Sequence, residues 1–94
     1  MASAITADEL RAVQLRVPGW GRKGYATDEV DDFLARAGEA LTALALRRTP
    51  QLTADDVRDV VFRKPGFGRG RGYDEDQVDE LLDRLEHTLR GASA

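Results

Sequence analysis

The sequence contains no cysteine and no long hydrophobic run, and it has one histidine and one tryptophan among its 94 residues. The lack of cysteine excludes disulfides, thiol chemistry and thiolate metal sites, and it fits a reducing compartment. No apolar segment approaches the ~20 residues that a membrane-spanning helix needs, and residues 1–6 lack the basic and apolar regions of a signal peptide. We therefore expect a cytoplasmic protein.

Residues suited to catalysis are equally scarce. His87 is the only histidine, and no nucleophile is matched to it. Most acidic residues fall on the polar faces of predicted helices, where a solvated surface is a better explanation than an acid–base pair or a metal site. The sequence predicts a protein that is not an enzyme and that uses no cofactor or metal.

The sequence consists of two tandem repeats of one unit. Residues 6–11 (Thr-Ala-Asp-Glu-Leu-Arg) recur as residues 53–58 (Thr-Ala-Asp-Asp-Val-Arg), and residues 16–22 (Arg-Val-Pro-Gly-Trp-Gly-Arg) recur as residues 63–69 (Arg-Lys-Pro-Gly-Phe-Gly-Arg). A repeated unit this short usually buries its apolar face against its neighbour. We expect one domain over residues 1–94.

Each repeat reads as a short helix, a glycine-rich loop and a longer helix. Repeat 1 covers residues 5–47 and repeat 2 covers residues 52–90, joined by a linker at 48–52 that contains Pro50. Gly24-Tyr25 returns as Gly72-Tyr73, now shifted by 48 residues rather than 47, so the second loop holds one extra residue.

The short helices are predicted over residues 7–15 and 54–62. Thr6 and Thr53 suit their N-caps, because each is followed three positions later by an acid, Glu9 or Asp56. The core candidates on these helices are Leu10, Val13, Val57, Val60 and Val61.

The long helices are predicted to begin near Thr27 and Asp74. Asp74 and Gln77 form a capping pair, and because Ala26 stands at the aligned position in repeat 1, the cap there is expected at Thr27. Apolar residues at 3–4 spacing form a stripe on each helix. The stripes comprise Val30, Phe33, Leu34, Ala37, Leu41 and Leu44, and Val78, Leu81, Leu82, Leu85 and Leu89. This pattern favours an all-α fold, an up-down four-helix pseudo-dimer with both glycine loops at one end, or a swapped homodimer with the same contacts.

The two loops concentrate positive charge. Seven bases and no acid lie in them, whereas the rest of the chain holds seventeen acids and seven bases, a net charge of −10. The seven are Arg16, Arg22, Lys23, Arg63, Lys64, Arg69 and Arg71. If the loops lie together, the molecule has a basic end and an acidic body.

Two ligand motifs in these loops are weak. Residues 19–24 match the dinucleotide fingerprint G-x-G-x-x-G, but the predicted preceding element is a helix rather than a strand. Residues 68–72 (Gly-Arg-Gly-Arg-Gly) resemble an Arg-Gly nucleic-acid segment, yet they stand alone in an acidic domain that repels phosphate. The sequence argues against nucleotide and nucleic-acid binding.

Two aromatic residues in the loops allow two interpretations. Trp20 and Phe67 follow the Pro-Gly turns, which would present them at the loop apex. Each ring either folds back and closes the end of the core or stands exposed among arginines, a pattern that inserts into an anionic bilayer or a partner's groove. Tyr25 and Tyr73 are expected to be structural, with their rings on the helix starts and their hydroxyls outward.

The sequence resembles the N-terminal domain of DivIVA, a bacterial polar and septal scaffold. The resemblance is carried by residues 71–82 (Arg-Gly-Tyr-Asp-Glu-Asp-Gln-Val-Asp-Glu-Leu-Leu), by residues 24–34 and by the Thr-Ala-Asp blocks, and it covers nearly the whole chain. The loops look like those of actinobacterial versions. In that family the domain is an intertwined dimer whose crossed loops expose an aromatic and a basic residue to curved, anionic membrane, and a long coiled coil follows.

This resemblance implies a non-enzymatic adaptor in cell division or polar growth, peripheral at the inner face of the cell membrane. Its partners would be anionic membrane, other division or polar scaffold proteins, or a second copy in a homodimer. The implied contact residues are Trp20, Arg22, Lys23, Phe67, Arg69 and Arg71. The alternative is a soluble helical module that binds a protein or, with less support, nucleic acid, without a membrane role.

Overall fold

A computed structural model describes residues 3–18, 24–65 and 72–93 of the chain. Each repeat contributes a short helix, a short strand and a long helix. In chain order these are α1 (Ala7–Ala12), β1 (Gly24–Ala26), α2 (Thr27–Ala45), α3 (Ala54–Asp59), β2 (Gly72–Asp74) and α4 (Glu75–Ser93). Helix α1 packs on α2 and α3 packs on α4, so each repeat forms a helical hairpin.

The two hairpins are joined by their strands. Strands β1 and β2 pair antiparallel, with Tyr25 opposite Tyr73 and with Gly24 and Ala26 opposite Asp74 and Gly72. The pairing relates the repeats by an approximate two-fold axis, because equivalent tyrosines face each other across it. We call this pair of strands, β1 with β2, the crossing. Both long helices begin directly after it and therefore start at the same end of the molecule.

Helix α1 and helix α3 begin where the sequence predicts. The hydroxyls of Thr6 and Thr53 accept hydrogen bonds from the N–H groups of Glu9 and Asp56. The carboxylates of these two acids accept in turn from the N–H groups of the threonines, so each helix begins with a complete capping box. Asp74 caps α4 through bonds to the N–H groups of residues 76 and 77. The predicted cap of α2 at Thr27 is wrong, since Ala26 occupies that position and makes no side-chain bond.

The short helices end earlier than predicted. Val13 and Val60 have extended backbones (ψ 131° and 138°), so α1 and α3 stop at residues 12 and 59 instead of 15 and 62. Branching at Cβ favours this extended conformation. Because the backbone changes from helical to extended at Val60, the side chain of Val61 points outward and is 87% exposed, and Phe62 is buried instead. Val61 and Val13, which is also exposed, were wrongly predicted to lie in the core.

Residues of both repeats form one hydrophobic core. All the stripe residues predicted on the long helices belong to it or pack against it, with Leu34, Leu44 and Leu82 partly buried at its margin. The segments that precede α1 and α3 add Ile5 and Leu52, each 2% exposed. Leu52 was predicted to be part of the linker, but its equivalence to Ile5 makes it the first core residue of repeat 2.

The predicted all-α class is wrong, and the described residues show no up-down four-helix bundle. The fold contains a two-stranded antiparallel sheet, and its short helices have only six residues each. In the structure of the single chain, the crossing joins the two repeats of that chain. Each strand lies between a glycine loop and a long helix, where its backbone N–H and C=O groups need partners that no helix supplies, and pairing provides them.

Candidate functional site

The candidate site is the end of the molecule where the loops leave the core. Pro18 and Gly24 flank the first loop, and Pro65 and Gly72 flank the second. All six predicted contact residues lie outside the described residues: Trp20, Arg22, Lys23, Phe67, Arg69 and Arg71. The structure does describe the strands β1 and β2 and the first turns of α2 and α4, which adjoin both loops and are called the platform below.

Two glycines make the crossing possible. A Cβ atom built on Gly24 would lie 2.6 Å from the carbonyl carbon and 2.8 Å from the Cα of Gly72, and one built on Gly72 would lie 2.5 Å from the carbonyl carbon of Gly24. These distances are far shorter than ordinary van der Waals contact, so only glycine fits at either position. The second ends of both loops therefore meet at one point.

The segments that lead into the loops are held by the opposite repeat. The N–H of Ala26 donates to the carbonyl of Arg63, and the N–H of Asp74 donates to the carbonyl of Arg16, both at 2.8 Å. The N–H groups of Arg63 and Arg16 donate in turn to side-chain oxygens of Glu29 and Gln77, both at 2.7 Å. Each loop is thus anchored at both ends, and the four bonds form two pairs related by the two-fold axis.

Two tyrosines reinforce this platform. The hydroxyl of Tyr25 donates to Asp79 and that of Tyr73 donates to Asp31, both at 2.8 Å, so each tyrosine reaches the long helix of the other repeat. Burial, followed by the hydrogen bond to Asp79, raises the pKa of Tyr25 to about 12. The bond to Asp31, followed by burial, raises the pKa of Tyr73. The tyrosines are structural as expected, but their hydroxyls are bonded across the repeats rather than free.

The sequence predicts a basic end, but acidic residues also lie there and pair with some of the bases. Arg16 pairs with Asp74 at 3.1 Å, Arg63 lies 3.7 and 3.6 Å from Asp28 and Glu29, and Lys64 lies 3.4 Å from Glu75. These acids belong to the starts of α2 and α4, where negative charge is favoured by the helix dipoles. Three of the seven bases are therefore matched by acids of the platform.

The spacing of residues in the sequence also indicates the tyrosine bonds, which the expectation of outward hydroxyls did not include. In both repeats an aspartate follows the Gly-Tyr tyrosine by six residues, which gives Tyr25 with Asp31 and Tyr73 with Asp79. A polar pair repeated at fixed spacing indicates a contact made twice, and here each tyrosine takes the other repeat's aspartate.

Elsewhere in the described parts of the chain no second site stands out. His87 lines a shallow depression on α4 with Asp83, Glu86, Arg90 and Gly91, all residues of one helix. Within residues 3–18, 24–65 and 72–93, no group of three or more His, Cys, Asp or Glu side chains is arranged to hold a metal ion. None of the described helices combines the length and the apolarity needed to cross a membrane.

Comparison with protein-family models, with curated proteins and with solved structures finds no match to this chain.

Proposed function

We propose that the chain is a non-enzymatic, DivIVA-like adaptor that attaches reversibly to the anionic inner face of the cell membrane through its two glycine loops. The loops would act as one surface. Trp20 and Phe67 would insert their rings at the bilayer interface, and Arg22, Lys23, Arg69 and Arg71 would contact lipid headgroups.

The observation that carries this proposal is the close approach of Gly24 and Gly72. Because their backbones touch, the residues at which the two loops end lie side by side. A surface that combines two weak loops in a fixed geometry binds better than either loop alone. The anchoring of both loops by bonds from the opposite repeat supports the same reading, since it reduces the entropy lost on binding.

The charge pairing sets the strength of such attachment. With Arg16, Arg63 and Lys64 matched by acids, four bases remain in the loops. Each base near an anionic surface contributes about 1 kcal/mol, so the electrostatic part has a ceiling of about 4 kcal/mol. Attachment of this strength is reversible and sensitive to salt.

The test is binding to vesicles, read through the single tryptophan. Trp20 is the only tryptophan, so its fluorescence reports the first loop directly. We expect a blue shift and co-sedimentation with vesicles of phosphatidylglycerol, loss of both at about 0.5 M salt, and neither effect with phosphatidylcholine. Substitution of glutamate at Arg22, Arg69 and Arg71 should abolish binding.

A matched control uses bases at the far end. Arg47 and Arg48 follow the last residue of α2, about 27 Å along the helix axis from Thr27. Arg47→Glu with Arg48→Glu changes the net charge by −4, two thirds of the −6 of the loop variant, but should leave vesicle binding intact. Equal loss in both variants, or no binding of the unaltered chain at low salt, would refute the membrane proposal.

A second candidate is a protein-binding adaptor that does not contact lipid. The acids beside the loops favour it, because the ion pairs of Asp28, Glu29 and Glu75 with Arg63 and Lys64 give this end alternating charges and leave less positive charge for an anionic bilayer. A partner protein could match this alternation of charge better than a uniform lipid surface. In that case the loop variant loses the partner while the unaltered chain shows no blue shift with either vesicle.

A further inference from the structure

We infer that the interface between the repeats is selective, so that repeat 1 fits repeat 2 better than a second copy of itself. This inference goes beyond the proposed function and does not depend on it. Two identical repeats would make the same contacts on both sides of the two-fold axis, whereas here residues at equivalent positions differ.

The clearest difference is a cluster of three rings. Phe62 of repeat 2 packs against Tyr25 and Phe33 of repeat 1, with ring centroids 5.6 Å apart in both pairs. The Phe33–Phe62 pair is edge-to-face at 78°, the favoured arrangement for aromatic rings. Phe62 is 6% exposed, so the cluster belongs to the core.

The equivalent site on the other side of the two-fold axis holds aliphatic residues. Leu15 corresponds to Phe62, and Leu81 corresponds to Phe33, while Tyr73 corresponds to Tyr25. A pair of two first repeats would therefore place leucine against phenylalanine at both sites, and so would a pair of two second repeats. The Phe33–Phe62 contact arises only when repeat 1 meets repeat 2.

Volume and charge point the same way. Ala37 and Leu85 occupy equivalent positions on the long helices and are both fully buried. A pair of first repeats would bury two alanines at these positions and a pair of second repeats two leucines, so the buried volume would be too small or too large compared with the one alanine and one leucine of this core. The ion pair of Arg16 with Asp74 is also specific to this pairing, because the residue equivalent to Asp74 in repeat 1 is Ala26.

The test imitates the wrong pairings within the intact chain. Leu15→Phe with Phe33→Leu makes both sites like a pair of second repeats, and Phe62→Leu with Leu81→Phe makes both sites like a pair of first repeats. Neither double variant changes the amino-acid composition. The fourfold variant moves the whole Phe–Phe pair to the other site and serves as the matched control.

We expect each double variant to melt about 2–12 °C below the unaltered chain by circular dichroism, because a buried ring pair contributes about 0.5–1.5 kcal/mol and each kcal/mol shifts the melting point of a chain of this size by about 4–8 °C. The fourfold variant should recover at least half of that loss. Double variants that melt within about 2 °C of the unaltered chain would overturn the inference. A fourfold variant no more stable than the double variants would overturn it as well. Stability would then depend on which residue stands at each position, and not on how well the two residues of a site fit each other.

Discussion

Replacing Gly24 or Gly72 by alanine should be among the most damaging changes of this size available to the chain. The added methyl carbon would lie 2.5–2.8 Å from backbone atoms of the opposite strand. It cannot turn away, because Cβ has no rotatable bond that could move it. The strands would have to separate by nearly 1 Å to restore ordinary contact.

The cost follows from what that separation breaks. The two bonds of 2.8 Å between the loop segments and the strands would lengthen beyond useful range, at about 1 kcal/mol each. Overpacking adds about 1–3 kcal/mol. A loss of about 3–5 kcal/mol is large against the roughly 5–14 kcal/mol expected for a domain of 94 residues, and it corresponds to a melting point lower by about 15 °C or more.

Thermal unfolding followed by circular dichroism measures this loss, and two other glycines provide controls. A Cβ on Gly38 would have its nearest neighbour, Leu10 Cδ2, at 3.9 Å, and one on Gly91 would have nothing within 4 Å. Both glycines lie in long helices, where alanine should stabilise by about 0.5–1 kcal/mol. If Gly24→Ala and Gly38→Ala shift the melting point equally, the crossing does not have the described geometry.

Two further predictions concern single residues. Because the pKa of Tyr25 is raised from 10.0 to about 12, the stability that it contributes is fully present below pH 10 and is lost as the pH rises toward 12. Tyr25→Phe should therefore weaken the fall in melting point over this range, and an unchanged fall would contradict the bond to Asp79. Arg47 has a positive φ of 58° and follows α2 in a Schellman turn, in which residues 47 and 48 donate to the carbonyls of residues 44 and 43. Arg47→Gly should raise stability by about 0.5–1 kcal/mol in urea unfolding, whereas Arg48→Gly should not, and equal effects would argue against the turn.

The helices and most of the core could be predicted from the sequence because their signals are local. The threonine caps, the acids three residues later and the 3–4 spacing of the stripes are each contained within one helix. The stripe from Val30 to Leu44 needed no knowledge of its partner. These are the elements for which short-range stereochemistry and burial agree.

The crossing could not be predicted in this way. Its strands have three residues each, too short for any periodicity, and the need for glycine at position 24 comes from the backbone of residue 72. The ring cluster could not be predicted either, because Phe62 contacts rings of the other repeat. The pairing of Arg16, Arg63 and Lys64 with acids likewise depends on where the opposite helix begins.

The linker between the repeats has a consequence for behaviour at low protein concentration. Between the last residue of α2 and Leu52, six residues join the two halves of a two-fold assembly. If the two repeats were separate chains, dilution below their dissociation constant would separate them, and the strand pair would be lost. Tethering replaces that constant by an effective concentration on the order of millimolar, which dilution does not change. In a cell that holds only a few copies of this chain, the crossing would still be intact in every copy.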